Sequence, residues 1–177
     1  MRWDPECVGR RCVGARAYTL VEILIVVTIL GIAGALVIPS MGSTDVLRVQ
    51  AAVRTIVADI NYAQSDALAR QEGRALMFDP AGNAYKLVEV HGPILDPVND
   101  LMYEVKFSVG SRFGNTKIES AAFDGDGVLV FDELGGPVTE PDGTQPSAGG
   151  KIAVSGSGSL FDVDVEAYTG RVTVTRK

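Results

Sequence analysis

His91 is the only histidine in the 177-residue chain, and it stands before Gly92-Pro93, where a loop is expected. No serine or cysteine lies in a nucleophile motif with a base to activate it, so His91 reads as a surface residue and the chain as a non-enzyme. Asp124-Gly-Asp-Gly127, followed by Asp132-Glu133, could offer oxygen ligands to calcium. The closing glutamate of an EF-hand loop is missing, and Asp-Gly pairs are common turn formers. Asp124 and Asp126 are therefore calcium candidates beside the favoured reading of a turn, and no metal or cofactor is expected. Gly156-Ser-Gly-Ser159 lacks the Gly-Lys-Ser/Thr ending and the following helix of a phosphate loop. Cys7 and Cys12 have no nearby histidine or third cysteine, too few ligands for a zinc site.

The remaining candidate for chemistry is Glu22, set inside the apolar stretch Tyr18-Thr-Leu-Val-Glu-Ile-Leu-Ile-Val-Val. From Ile23 to Thr44 no charge follows. A membrane-spanning helix needs about 20 mostly apolar residues, and this run meets that length. Arg2, Arg10, Arg11 and Arg16 against Asp4 and Glu6 give residues 1–17 a net +2. Basic residues ahead of the run predict a cytoplasmic N-terminus and an outward C-terminal domain, in a single-pass membrane protein. A carboxylate at bilayer depth costs about 2.5–3.5 kcal/mol and calls for a partner. Cleavage between Ala17 and Tyr18 would supply one, a free α-amino group four residues from Glu22 and available to a neighbouring subunit.

The net charge of the whole chain is -6, so the part beyond Ala17 carries -8. An acidic domain is poorly suited to phosphate backbones, which are held by Lys and Arg, and nucleic acid is not expected as a partner. Arg171, Arg176 and Lys177 form the one small basic cluster near the end.

The elements that must carry these residues follow from periodicity. Val49, Val53, Ile56, Ile60, Ala63 and Ala67 recur at helical spacing and predict an amphipathic helix. Ser43, Thr44 and Asp45 are capping candidates, and Gly73 is a plausible stop. Tyr18 to Glu72 would form a nearly continuous helix of about 80 Å, interrupted near Pro39 and Gly42. Beyond Gly73 the pattern becomes strand-like. Arg74–Phe78 and Ala84–Val90 flank the hairpin Asp79-Pro-Ala-Gly-Asn83. Met102–Val109, Lys117–Phe123, Val128–Phe131 and Ile152–Val154 are further strands, and Glu133–Gly150 is a loop. Leu160–Ala167 and Arg171–Thr175 close the chain around Tyr168-Thr-Gly170.

Ala17-Tyr-Thr-Leu-Val-Glu22 followed by an apolar run resembles the type IV prepilin signal. The resemblance implies a leader over 1–17, cut by a prepilin peptidase/methyltransferase, with Tyr18 becoming an N-methylated first residue. Glu22, Gly31 and Pro39 fall at the fifth, fourteenth and twenty-second mature positions, where that family often has the same residues. Ala17 and Tyr18 depart from its usual glycine and phenylalanine. Asn61-Tyr-Ala-Gln-Ser-Asp-Ala-Leu-Ala-Arg-Gln-Glu-Gly73 and Thr169-Gly-Arg-Val-Thr-Val174 are similar to minor pilins and pseudopilins of the GspH/FimT type, with Gln64 where arginine is common.

The expectation is an α+β, pilin-like fold. A helix with a transmembrane and filament-core half (18–41) and an amphipathic half (42–73) packs on an antiparallel β-sheet within a globular domain (74–177). The implied function is a minor pilin or pseudopilin assembling with homologous subunits into a type II secretion pseudopilus or type IV pilus. Its implied partners are those subunits, the peptidase and the inner membrane. The alternative is a FimT-like DNA-uptake pilin using Arg171, Arg176 and Lys177, although the second arginine of that family's Gly-Arg-x-Arg stretch is replaced here by Thr173.

Overall fold

The computed structural model describes residues 18–37, 43–93, 103–108 and 111–177. The chain divides into two units, Met1–Met41 and Gly42–Lys177. In the first, helix α1 runs over Leu20–Val37. In the second, α2 (Ser43–Arg70) is followed by strands β1 (Arg74–Asp79), β2 (Ala84–Glu89), β3 (Gly92–Pro93), β4 (Glu104–Lys106) and β5 (Lys117–Phe123). Five more complete it: β6 (Val128–Phe131), β7 (Pro137–Val138), β8 (Gly150–Gly156), β9 (Ser159–Val165) and β10 (Val172–Arg176).

The expected long helix is replaced by two separate ones. Pro39 explains where α1 must end: proline has no amide donor, and it disfavours helical geometry in the residue before it. No helix among the described residues is long and apolar enough to cross a membrane. That overturns the transmembrane segment over 18–41 and the single-pass inner-membrane placement. At about 1.5 Å per residue, the 18 residues of α1 fall short of a bilayer core of about 30 Å.

The single sheet is corrected as well. Two antiparallel sheets form, one ordered β3-β2-β1-β6-β7 with β4 also on β2, the other β10-β9-β8-β5. The division falls at Asp124-Gly-Asp-Gly127. Asp124 and Gly125 take φ values of 47° and 108°, a tight turn that Phe123 and Asp126 close with two backbone hydrogen bonds at 2.8 and 2.9 Å, and the pairing goes no further than this one bridge. β5 pairs with β8, while β6 turns away to pair with β1. Part of Glu133–Gly150, expected as loop, contributes the short β7.

α2 holds the two sheets together. Val49, Val53, Ile56, Ile60, Ala63 and Ala67 are all buried. They share one core with Leu76, Tyr85 and Phe131 from the sheet of β1, β2 and β6, and with Phe123, Ile152, Val154 and Val163 from the sheet of β5, β8 and β9. The helix stops before Gly73. Gln71 adopts φ 55°, and the Glu72 N–H donates to the Ala67 carbonyl at 3.3 Å, a Schellman-type ending.

Candidate assembly surface

In the first unit, Thr19 precedes the helix, and its Oγ1 accepts the Glu22 N–H at 3.2 Å. Thr19-x-x-Glu22 is thus the first half of a capping box, with the carboxylate in the first turn, where the helix dipole favours negative charge. Sequence reasoning looks to what Glu22 might meet at a distance and misses this local signature. The rest of α1 is apolar on every face. Its large side chains, from Leu20 to Ile32, are 46–82% exposed. Gly31 lies on the same helix in open space, where an added Cβ would meet nothing within 4 Å. Ala17 and Pro39 lie outside the described residues.

In the second unit, Gln64 on the flank of α2 acts as a clamp. Its Nε2 donates to the carbonyls of Gly135 at 2.8 Å and Thr169 at 2.9 Å, tying the helix to two loops. A side chain on Gly170 (φ 66°) would meet this amide at 2.9 Å and the Phe131 ring at 3.0 Å.

Two polar clusters escape sequence reasoning because their partners are distant in the chain. Arg74 is fully buried. Its Nε donates to Asp66 Oδ2 at 2.7 Å, with Glu72 at 3.3 Å and Glu89 at 3.9 Å from its terminal nitrogen. Burial pulls the Asp66 pKa up, but the hydrogen bonds from Arg74 and Arg70 outweigh it and hold the carboxyl below its usual range. Asp59 accepts hydrogen bonds from the Tyr85 and Tyr103 hydroxyls. Here burial dominates and raises the carboxyl pKa, against the lowering effect of both tyrosines and of the Arg112 charge. Burial, with the Asp59 charge second, pushes the Tyr85 phenol up.

No family model, characterised protein or solved structure matches the chain. The site residues must therefore be judged by where they stand. Arg171 pairs with Glu166 at 3.2 Å. Arg176 donates to Ser159 Oγ and lies over the Phe161 ring. Lys177 pairs with the buried Asp162 at 2.7 Å. Arg171 is separated from the other two by the length of β10, and each cation already has a protein partner. His91 is exposed, 3.5 Å from Asp142. At the corner between the sheets, Asp124 accepts from Ser147 Oγ and the Ala148 N–H, and Asp126 accepts from the Val128 N–H. Their oxygens serve the turn. Among the described residues no three His, Cys, Asp or Glu side chains gather to hold a metal.

A groove of about 540 Å³ runs along α2 beside β9 and β10, lined by Val53, Arg54, Val57, Ala58, Phe161 and Val174.

Proposed function

We propose that the chain is a structural subunit of a filament of the type II secretion or type IV pilus kind, built with homologous subunits. Its N-terminus would be made by prepilin peptidase cutting between Ala17 and Tyr18 and methylating Tyr18. The observation that carries this reading is α1: an apolar helix exposing large side chains on all faces, with one charge, Glu22, in its first turn. A helix apolar all round is stable only when buried, and a bundle of equivalent helices buries it. Inside such a bundle an isolated carboxylate is costly unless paired. The new α-amino group of a neighbouring Tyr18 is the cation that cleavage provides. The capping contact at Thr19 keeps Glu22 at the end of the helix where that amine arises.

The test has two parts. Mass spectrometry of the native protein is expected to find a methylated tyrosine as first residue. Glu22→Ala is expected to abolish filament assembly without lowering the amount of processed protein. An intact leader, or normal assembly by Glu22→Ala, overturns the reading.

A further inference from the structure

Sheet edges invite pairing with other chains, and folded proteins blunt them with short strands, prolines, bulges or charges. Among the described residues the edge strands other than β10 are blunted, β4 (Glu104–Lys106) by its three-residue length and its two charges. β3 is the two-residue Gly92–Pro93, β7 is the two-residue Pro137–Val138, and β5 carries a register irregularity between Ile118 and Ser120. β10 is different. It is five residues long, in unbroken register with β9, with no proline, and exposed from Thr173 to Arg176.

Its hydrogen bonds show which groups are free. The Lys177 N–H donates to Leu160, and the Arg171 carbonyl accepts from Glu166. In an antiparallel ladder alternate residues face the partner, so 171, 173, 175 and 177 serve β9. The backbone N–H and C=O groups of Val172, Val174 and Arg176 point outward. Val174 also lines the apolar groove with Val53, Val57 and Ala58 of α2.

The sequence of this edge fits itself. Antiparallel pairing about Val174 sets Val174 against Val174 of the other copy, Thr173 against Thr175, and Val172 against the stem of Arg176. Val–Val and Thr–Thr are favourable cross-strand pairs. The two Arg176 charges fall at opposite ends of the seam, about 13 Å apart at about 3.3 Å per residue, beyond the Debye length of about 8 Å at physiological salt. Just past the strand ends Arg171 falls opposite Lys177 of the other copy, an unfavourable like-charge pair whose members are each already paired in their own chain, with Glu166 and Asp162. About six backbone hydrogen bonds would form between the outward groups.

We propose that β10 is a self-association edge, pairing antiparallel with β10 of a second copy to join two four-stranded sheets and cover the groove along α2. The seam uses no residue of α1, so it stands independently of the filament reading.

Disulfide trapping in the full-length chain tests it, in a background with Cys7→Ser and Cys12→Ser. A hydrogen-bonded antiparallel pair places Cα atoms about 5.5 Å apart, within the range a disulfide spans. Val174→Cys is expected to form a disulfide-linked dimer under mild oxidation at least tenfold faster than Thr173→Cys, whose own counterpart lies off the two-fold. Adding Val172→Pro removes an outward donor without touching the β9 ladder, and is expected to slow trapping severalfold with the circular dichroism melt preserved. Equal trapping of the two single-cysteine variants overturns the proposal, whatever the proline variant does. So does fast trapping of Val174→Cys that the proline leaves unchanged in a folded protein.

Discussion

Replacing Arg74 with methionine keeps much of the side chain's bulk while removing its charge from a fully buried site. The best bond lost is the one to Asp66 at 2.7 Å, because Glu72 is mostly exposed and Glu89 sits at 3.9 Å. A hydrogen bond to a charged group contributes about 1.5–3 kcal/mol, and breaking one side of a buried pair costs about 3–5 kcal/mol. Asp66 keeps Arg70 at 3.0 Å, which places the expected loss at the low end, about 3 kcal/mol. For a folded unit spanning Gly42–Lys177, about 2.1 cal/mol/K per residue converts this to a Tm drop of roughly 10 °C. The loss should depend on pH. Asp66 has a lowered pKa in the folded state, so its stabilisation is present above the unfolded carboxyl value and disappears as pH falls through the folded one. Urea unfolding of both proteins at pH 7 and near pH 3 measures this. The difference should be full at pH 7 and shrink in acid. A loss under 1 kcal/mol at pH 7, or one that is the same at both pH values, refutes the argument that the Arg74–Asp66 pair carries the effect.

Asp59 should behave with the opposite sign. Its folded pKa is raised, so its contribution is largest in acid and declines as pH rises through the folded value; relative to wild type, Asp59→Asn should gain stability between pH 4 and pH 7, seen in melts across that range. Gly170→Ala should lose about 1–2 kcal/mol from the left-handed backbone alone and more if the Gln64 amide must move, measured by denaturant titration. Gln64→Ala should then make the Gly170→Ala penalty smaller, since the amide nearest the added methyl is gone.

The amphipathic face of α2 is legible because helical spacing reports burial directly, and all six predicted positions from Val49 to Ala67 are buried. The hairpin at Asp79–Asn83 and the closing one at Tyr168–Gly170 are legible from their turn residues. The rest depends on partners far apart in sequence. Nothing local says that β6 will choose β1 over β5, or that Arg74 will be buried against Asp66 from the preceding helix. β3 and β7 are too short to show any period. The nearly continuous helix expected over 18–72, interrupted near Pro39 and Gly42, is instead two helices, α1 and α2. Thr19-x-x-Glu22 is readable as a cap once Glu22 is considered with its neighbours. Residues 1–17, with the proposed cleavage partner Ala17, lie outside what the structure describes.

Because one face of α2 touches both sheets, neither sheet has a second layer of its own. Remove the helix and each would show an uncovered greasy side to water. Fragments carrying only one sheet should therefore be insoluble, and slow-exchanging amides of both sheets should open together. The helix is a shared keel: a lesion at Ile56 or Ile60 is felt on both sides of the domain at once.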